Sequence, residues 1–275
     1  MAMNLEFSST IIEAKQLFEN LDDEDLKVID SRWYIDDKTR GLREYKEKHI
    51  PNSVFLDIDF FSDKKSCLPH MIDSPEEFKK KVSKLGIKNS DKLVIYDQEG
   101  FFSSSRVWFL FKIFGHKKIS ILNGGFNNWI KYFATENSIK YYDESVYKVS
   151  YKKNFIFCKE EVKNILNNHD YQIIDARPEN RFKGFIPEPR KNVTQGRIKE
   201  SINIPFNQIC CDGKILNDNK LKALLYKNKN IKKKKIVVLC GSGVTACNII
   251  FALQKINHKH SVSLYDGSWS EWGMM

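Results

Sequence analysis

Short uninterrupted apolar runs alternate along the chain with longer stretches of helical spacing. Gln172-Ile173-Ile174 and Lys235-Ile236-Val237-Val238-Leu239 are rich in β-branched residues and bounded by polar ones, the pattern of strands buried on both faces. Glu160 to Asn167 and Ala246 to Ile256 carry apolar residues at helical intervals. Ser74-Pro75-Glu76-Glu77 is a helix start: a capping hydroxyl, a proline at the first helical position and acids in the first turn. This alternation predicts an α/β fold, a mainly parallel sheet covered by helices on both faces. The Pro-containing connection from Glu179 to Asn203 is too long for a plain turn and is a candidate functional loop.

The pattern occurs twice. Val28-Ile29-Asp30-Ser31-Arg32 recurs as Ile173-Ile174-Asp175-Ala176-Arg177, and Lys92-Leu93-Val94-Ile95-Tyr96-Asp97 recurs as Lys235-Ile236-Val237-Val238-Leu239-Cys240. Asn123-Gly124-Gly125-Phe126 with Trp129 recurs as Asp266-Gly267-Ser268-Trp269 with Trp272, and His49 to Ser53 falls where Arg197 to Ser201 stands in the second half. Ordered matches at a nearly constant offset predict two copies of one domain. We expect the first over residues 1–140, a linker over about 141–154 and the second over 155–275.

Composition narrows the class. At 275 residues with 41% hydrophobic and 29% charged positions, the chain has the apolar mass for two cores. Its net charge of +10 does not point to nucleic acid, because the lysines are scattered and Lys232 to Lys235 lack interleaved aromatics. Six cysteines (Cys67, Cys158, Cys210, Cys211, Cys240 and Cys247) form neither a disulfide framework nor a metal pattern, so no metal or organic cofactor is expected. The first residues lack a secretory apolar core, and the most apolar window, Phe101 to Phe114, is interrupted by Arg106 and Lys112. These features predict a reduced, cytoplasmic protein without a membrane span.

The candidate chemistry lies where the strand ending at Leu239 meets Cys240-Gly241-Ser242-Gly243-Val244-Thr245 and a helix begins. Ligands of parallel sheets bind beyond the carboxyl ends of strands. Two glycines let several N–H groups turn toward one centre, and the helix start adds partial positive charge; both favour a thiolate over a thiol. The competing reading is a cysteine buried for packing, as free cysteines often are. A phosphate-binding loop would need a lysine near Ala246-Cys247, and a cysteine phosphatase an arginine at position 246. Thr245 is expected to cap the helix. Cys247 is expected in the core, with a disulfide to Cys240 as the alternative. In the first copy Asp97, followed by Gln98, Glu99, Gly100 and Phe101, makes a poor thiol cradle, so chemistry is expected only in the second.

The repeat, the Cys-Gly-Ser-Gly-Val-Thr loop and the closing Asp-Gly-Ser-Trp-Ser-Glu-Trp-Gly at 266–273 resemble a two-domain rhodanese-type sulfurtransferase over roughly Phe7 to Gly273. The resemblance implies a non-catalytic first domain and a second in which Cys240 carries sulfur as a persulfide. Thiosulfate-preferring members have an Arg-Lys pair after the cysteine. Gly241 and Ser242 stand there instead, as in the 3-mercaptopyruvate branch, so 3-mercaptopyruvate is the expected donor and thiosulfate the alternative. The resemblance further assigns Arg181 and Arg190 to the donor's carboxylate and carbonyl, with Gly241, Gly243, Val244 and Thr245 lining its site. Ser242, His70 and Asp59 correspond to a proton relay, which would set the active site between the two domains. The acceptor would be thioredoxin, glutathione, another thiol or cyanide. A sulfur-relay module with little small-molecule turnover is a further alternative.

Overall fold

The computed structural model describes residues 10–227, 231–232 and 234–274. Phe7, at the start of the resemblance, and Lys233, within the basic run, lie outside the described residues. The chain divides into two compact units. The first lies within Met1–Ser62, Asp73–Tyr151 and Asp212–Ile215; the second comprises Asp63–Ile72, Lys152–Cys211 and Leu216–Met275. Each unit therefore includes a short segment from the other half of the sequence. Residues 63–72, which the repeat pattern assigns to the first domain, pack with the second unit.

In the first unit, the strands are β1 (Ile11–Ile12), β2 (Leu26–Asp30), β3 (Ser53–Phe55), β4 (Lys92–Tyr96) and β5 (Ile119–Leu122), forming one sheet in the order β1-β5-β4-β2-β3. All its pairings are parallel. The helices are α1 (Ala14–Phe18), α2 (Arg40–Glu47), α3 (Pro75–Lys84), α4 (Ser104–Ile113) and α5 (Gly125–Trp129). The expected helix start at α3 is present: the Glu77 N–H donates to Ser74 Oγ at 3.2 Å, with Pro75 at the first position. The apolar window expected not to span a membrane is α4, buried at every position except Lys112 and packed on β4 and β5. No helix among the described residues is long and apolar enough to cross a membrane.

The second unit repeats this order with β6 (Ile156–Phe157), α6 (Lys159–Ile165), β7 (Tyr171–Asp175), α7 (Glu179–Phe182), β8 (Ile202–Asn203) and the short β9 (Cys210–Cys211). The short β10 (Lys214–Ile215) belongs to the first unit's inserted segment. Next come α8 (Asp218–Leu225), β11 (Lys235–Leu239), α9 (Ala246–Lys255), β12 (Val262–Tyr265) and α10 (Ser268–Trp272). Its sheet, β6-β12-β11-β7-β8, is parallel throughout and matches the first strand for strand. The connection from Glu179 to Asn203, expected as a candidate functional loop, begins with one turn, α7, and ends in β8. Pro178 fixes the entry to that turn at φ −51° and Glu179 supplies its first-turn acid, a local start signal subordinate to the length of the loop.

Each sheet closes around an Asp-x-Arg pair at the end of its second strand. Arg32 Nη2 reaches Asp30 Oδ2 at 2.7 Å and its guanidinium carbon stands 4.3 Å from the Phe126 ring centre; Arg177 and Asp175 repeat the 2.7 Å contact, with Trp269 at 4.3 Å. Burial pushes both carboxyls upward, while the two-pronged arginine contact pulls them back.

The burial of one histidine predicts that the first unit loses stability in acid. His116 Nε2 lies 3.0 Å from the Asp91 carbonyl and Nδ1 3.2 Å from the Tyr147 hydroxyl, which suits a neutral ring, and burial pushes its pKa down to about 4. A histidine neutral when folded but protonated when unfolded contributes stability above pH ~6.5 and loses it as pH falls toward 4, about 3 kcal/mol in all. Urea midpoints should therefore fall between pH 7 and pH 5, and less steeply for H116Q. An equal fall in both proteins would rule out His116 as the cause.

Candidate active site

The first unit displays the loop chemistry most completely. After β4 the chain curls around the Asp97 carboxylate, which accepts five main-chain N–H groups: Glu99 at 3.1 Å, Gly100 at 2.5 Å, Phe102 at 2.7 Å, and Ser103 and Ser104 at 2.9 Å each. Gly100, at φ +117°, permits the curl. The acidic and bulky neighbours of Asp97, Glu99 and Phe102, contribute main-chain amides, which do not depend on side-chain type, to a loop that holds a carboxylate and no thiol.

Cys240 stands at the same place after β11 and is 2% exposed. Its carbonyl accepts the Trp269 N–H at 3.0 Å and the Gly241 carbonyl that of Ser270 at 2.9 Å; in the first unit Phe126 and Asn127 make the equivalent bonds to the Asp97 and Gln98 carbonyls. The Cys240 N–H donates to Ser268 Oγ at 3.2 Å. Gly243, at φ +78°, takes the place of Gly100. Val244 is buried, and its carbonyl receives the Cys247 N–H at 3.2 Å. Thr245 precedes α9 but is already helical, at φ −75° and ψ −11°, and makes no side-chain cap. The expected capping role is corrected, since a side-chain oxygen reaches the first-turn amides best from an extended residue. Cys247 is fully buried, with Sγ 3.3 Å from the Gly243 carbonyl, in agreement with a core role.

The second unit gathers most of the remaining candidates around Ser242. The Ser242 hydroxyl lies 2.8 Å from His70 Nδ1 and accepts from Arg190 Nη2 at 3.3 Å. His70 sits in the left-handed region, at φ +59°, a costly conformation for a residue other than glycine and one concentrated at functional sites. The Ile72 N–H donates to Asp266 Oδ2 at 2.8 Å, tying the His70 segment to the end of β12. Arg181 lies over Gly241: a Cβ on that glycine would stand 2.9 Å from Arg181 Nη2. Asp59 belongs to the first unit, where its carboxylate accepts the Trp33 indole N–H at 2.9 Å.

Two participants escaped the sequence reading. Ser268, at φ +51°, supplies the hydroxyl that holds the Cys240 amide. Glu188, between two prolines, bonds both Arg177 and Arg181. A signal for Glu188 was present, since each Asp-x-Arg is followed by a glutamate, Glu44 or Glu188, that contacts its arginine. Among the described residues no group of three or more histidine, cysteine or acidic side chains could hold a metal ion.

The Rhodanese-like domain family matches the chain twice, over residues 13–132 and 159–275. The chain is 37% identical to the mitochondrial thiosulfate/3-mercaptopyruvate sulfurtransferase 1 of Arabidopsis thaliana, over 96% of this chain and 76% of that protein. It is 34% identical to the 3-mercaptopyruvate sulfurtransferase of Escherichia coli K12, over 95% of this chain and 94% of the relative. The crystal structure of Escherichia coli SseA, described as a 3-mercaptopyruvate sulfotransferase, superposes with a TM-score of 0.86 at 32% identity, covering 96% of this chain and all of that one.

The two loops generate a reciprocal expectation. D97A leaves five N–H groups, three of them in buried bonds, without their acceptor and should cost roughly 3 kcal/mol or more of stability. C240D places a carboxylate where the fold already accommodates one in the other unit, so its melting temperature should equal or exceed that of C240A. A C240D protein less stable than C240A would show that the second loop is not an anion cradle.

Proposed function

As the chain belongs to the rhodanese family of sulfurtransferases, with two such domains, we propose that it moves sulfur from 3-mercaptopyruvate through a Cys240 persulfide to a thiol or cyanide, with catalysis confined to the second domain. The observation that carries the donor assignment is the Ser242 hydroxyl, two residues beyond Cys240, shared by His70 at 2.8 Å and Arg190 at 3.3 Å. A keto-acid donor offers one carboxylate and one carbonyl, which suits two guanidinium groups set apart from the sulfur better than cations beside it.

In the proposed reaction the Cys240 thiolate attacks the donor's sulfur. The C–S bond breaks, its electron pair stays on carbon, and the resulting pyruvate enolate takes a proton to become pyruvate. Arg181 and Arg190 orient the donor and stabilise the enolate oxygen, while Ser242 and His70 deliver the proton, with Asp59 as the proposed third member. The backbone of Gly241, Gly243, Val244 and Thr245 holds the sulfur anion. An acceptor thiolate then attacks the outer sulfur, leaves as a persulfide and restores Cys240. Cyanide by the same step gives thiocyanate.

The roles of thioredoxin or glutathione as acceptor, and of the first domain as non-catalytic, belong to this proposal. So do the boundaries 1–140 and 155–275 and a reducing compartment such as the cytoplasm.

Mass spectrometry after exposure to 3-mercaptopyruvate should find a gain of about 32 Da, one sulfur, on Cys240 and none on C240S. Pyruvate release should exceed sulfite release from thiosulfate, and S242A should lose about 10²–10³-fold in kcat with 3-mercaptopyruvate. Faster turnover of thiosulfate by the wild type would overturn the donor assignment.

A further inference from the structure

We infer that Glu188 is a specificity-determining residue of this site: its buried carboxylate pins Arg181 over Gly241 and removes one unit of positive charge there, biasing the site toward monoanionic sulfur donors over dianionic ones. The inference rests on the sulfur-transfer reading of Cys240.

Local sequence makes Glu188 a rigid post. Pro187 and Pro189 flank it, and a residue preceding proline is held extended, so little chain entropy remains to be lost when its side chain turns inward. The Glu188 side chain is 3% exposed, with Oε1 2.8 Å from Arg177 Nη1 and 3.3 Å from Arg181 Nε, and Oε2 2.5 Å from Arg181 Nη2. Arg177 cannot yield. It is bonded to Asp175 and, through Nη2 at 2.8 Å, to the Gly196 carbonyl, and it is stacked on Trp269.

Arg181 therefore spends two of its five N–H groups on Glu188 and keeps three for a ligand. It lies so close to position 241 that a Cβ there would stand 2.9 Å from Nη2 and the guanidinium would have to shift to admit one. The carboxylate does more than aim the guanidinium. Whatever the ionisation of its neighbours, replacing it by an amide makes this corner one unit more positive, in a place where water screens little. A donor with one carboxylate suits the balanced arrangement, and a thiosulfate dianion suits the unbalanced one.

The first unit provides an internal comparison. There Glu44 lies 3.7 Å from Arg32 and 2.8 Å from Arg40, but Glu44 is 27% and Arg40 45% exposed, and Arg40 stacks on Tyr34. The closed, dry version of the arrangement accompanies the cysteine loop; the open version accompanies Asp97.

The test is the donor ratio of E188Q, which keeps the side chain's shape and one acceptor oxygen but removes the charge. Relative to wild type, kcat/KM for thiosulfate over 3-mercaptopyruvate should rise at least about tenfold, carried mainly by a lower KM for thiosulfate. A purely structural role would depress both donors together and leave the ratio unmoved, and that result overturns the inference. G241A is an independent check, free of any buried unpaired charge. Its Cβ displaces Arg181, so kcat/KM for 3-mercaptopyruvate should fall about fivefold or more. An unchanged kcat/KM overturns the placement of Arg181 over Gly241, and the inference with it, even if E188Q does not fold. Wild type that gains no sulfur on Cys240 from either donor would remove the sulfur-transfer reading, and this inference with it. Normal loading with an unmoved ratio would remove the inference alone.

Discussion

A negative charge at the carboxyl end of a central parallel strand must be met by main-chain N–H groups, and the first half of this chain is shaped by that requirement. Asp97 gathers five amides, and the loop, the start of α4 and the turn of α5 are organised around it. In the second half the same strand leads into the same curl, with the same carbonyl contacts to the following helical turn, and a cysteine stands where the carboxylate was. The first loop holds a carboxylate; under the proposed function the second would hold the Cys240 sulfur and the sulfur bound to it.

Around this cradle, buried charge supplies order. Arg177, fixed by Asp175 and stacked on Trp269, is the platform on which Glu188 and then Arg181 are built. Pairs so deep in the protein contribute less to net stability than to placing groups in one arrangement, because desolvation offsets most of their attraction. Ser242 gains its partners through His70, whose unfavourable backbone conformation is held by a segment bonded to Asp266. In the second unit this buried charge and the strained His70 backbone lie beside the Cys240 loop, and both sheets also carry an apolar core.

Much of this was legible from residue patterns. The two parallel sheets followed from apolar runs alternating with helical spacing, and the repeat followed from Asp-x-Arg and the strand ends at 97 and 240. What local pattern could not reveal were contacts between residues distant in sequence. Residues 63–72 pack with the second unit although they lie in the first half, so His70 meets Ser242 across 172 positions. Glu188 takes its place only through Arg177 and Arg181, which share its carboxylate. Thr245 carried the right residue type for a cap, but its backbone was already helical and the side chain could not reach. The rhodanese resemblance supplied roles for Arg181, Arg190 and Asp59 that spacing alone did not.

The claim that main-chain amides hold an anion at position 240 is tested most directly by a crystal structure of the donor-loaded protein. The account predicts the outer sulfur of the Cys240 persulfide within about 3.5 Å of at least two N–H groups from the loop leading into α9. A sulfur turned instead against hydrocarbon, with those amides bonded elsewhere, would contradict it.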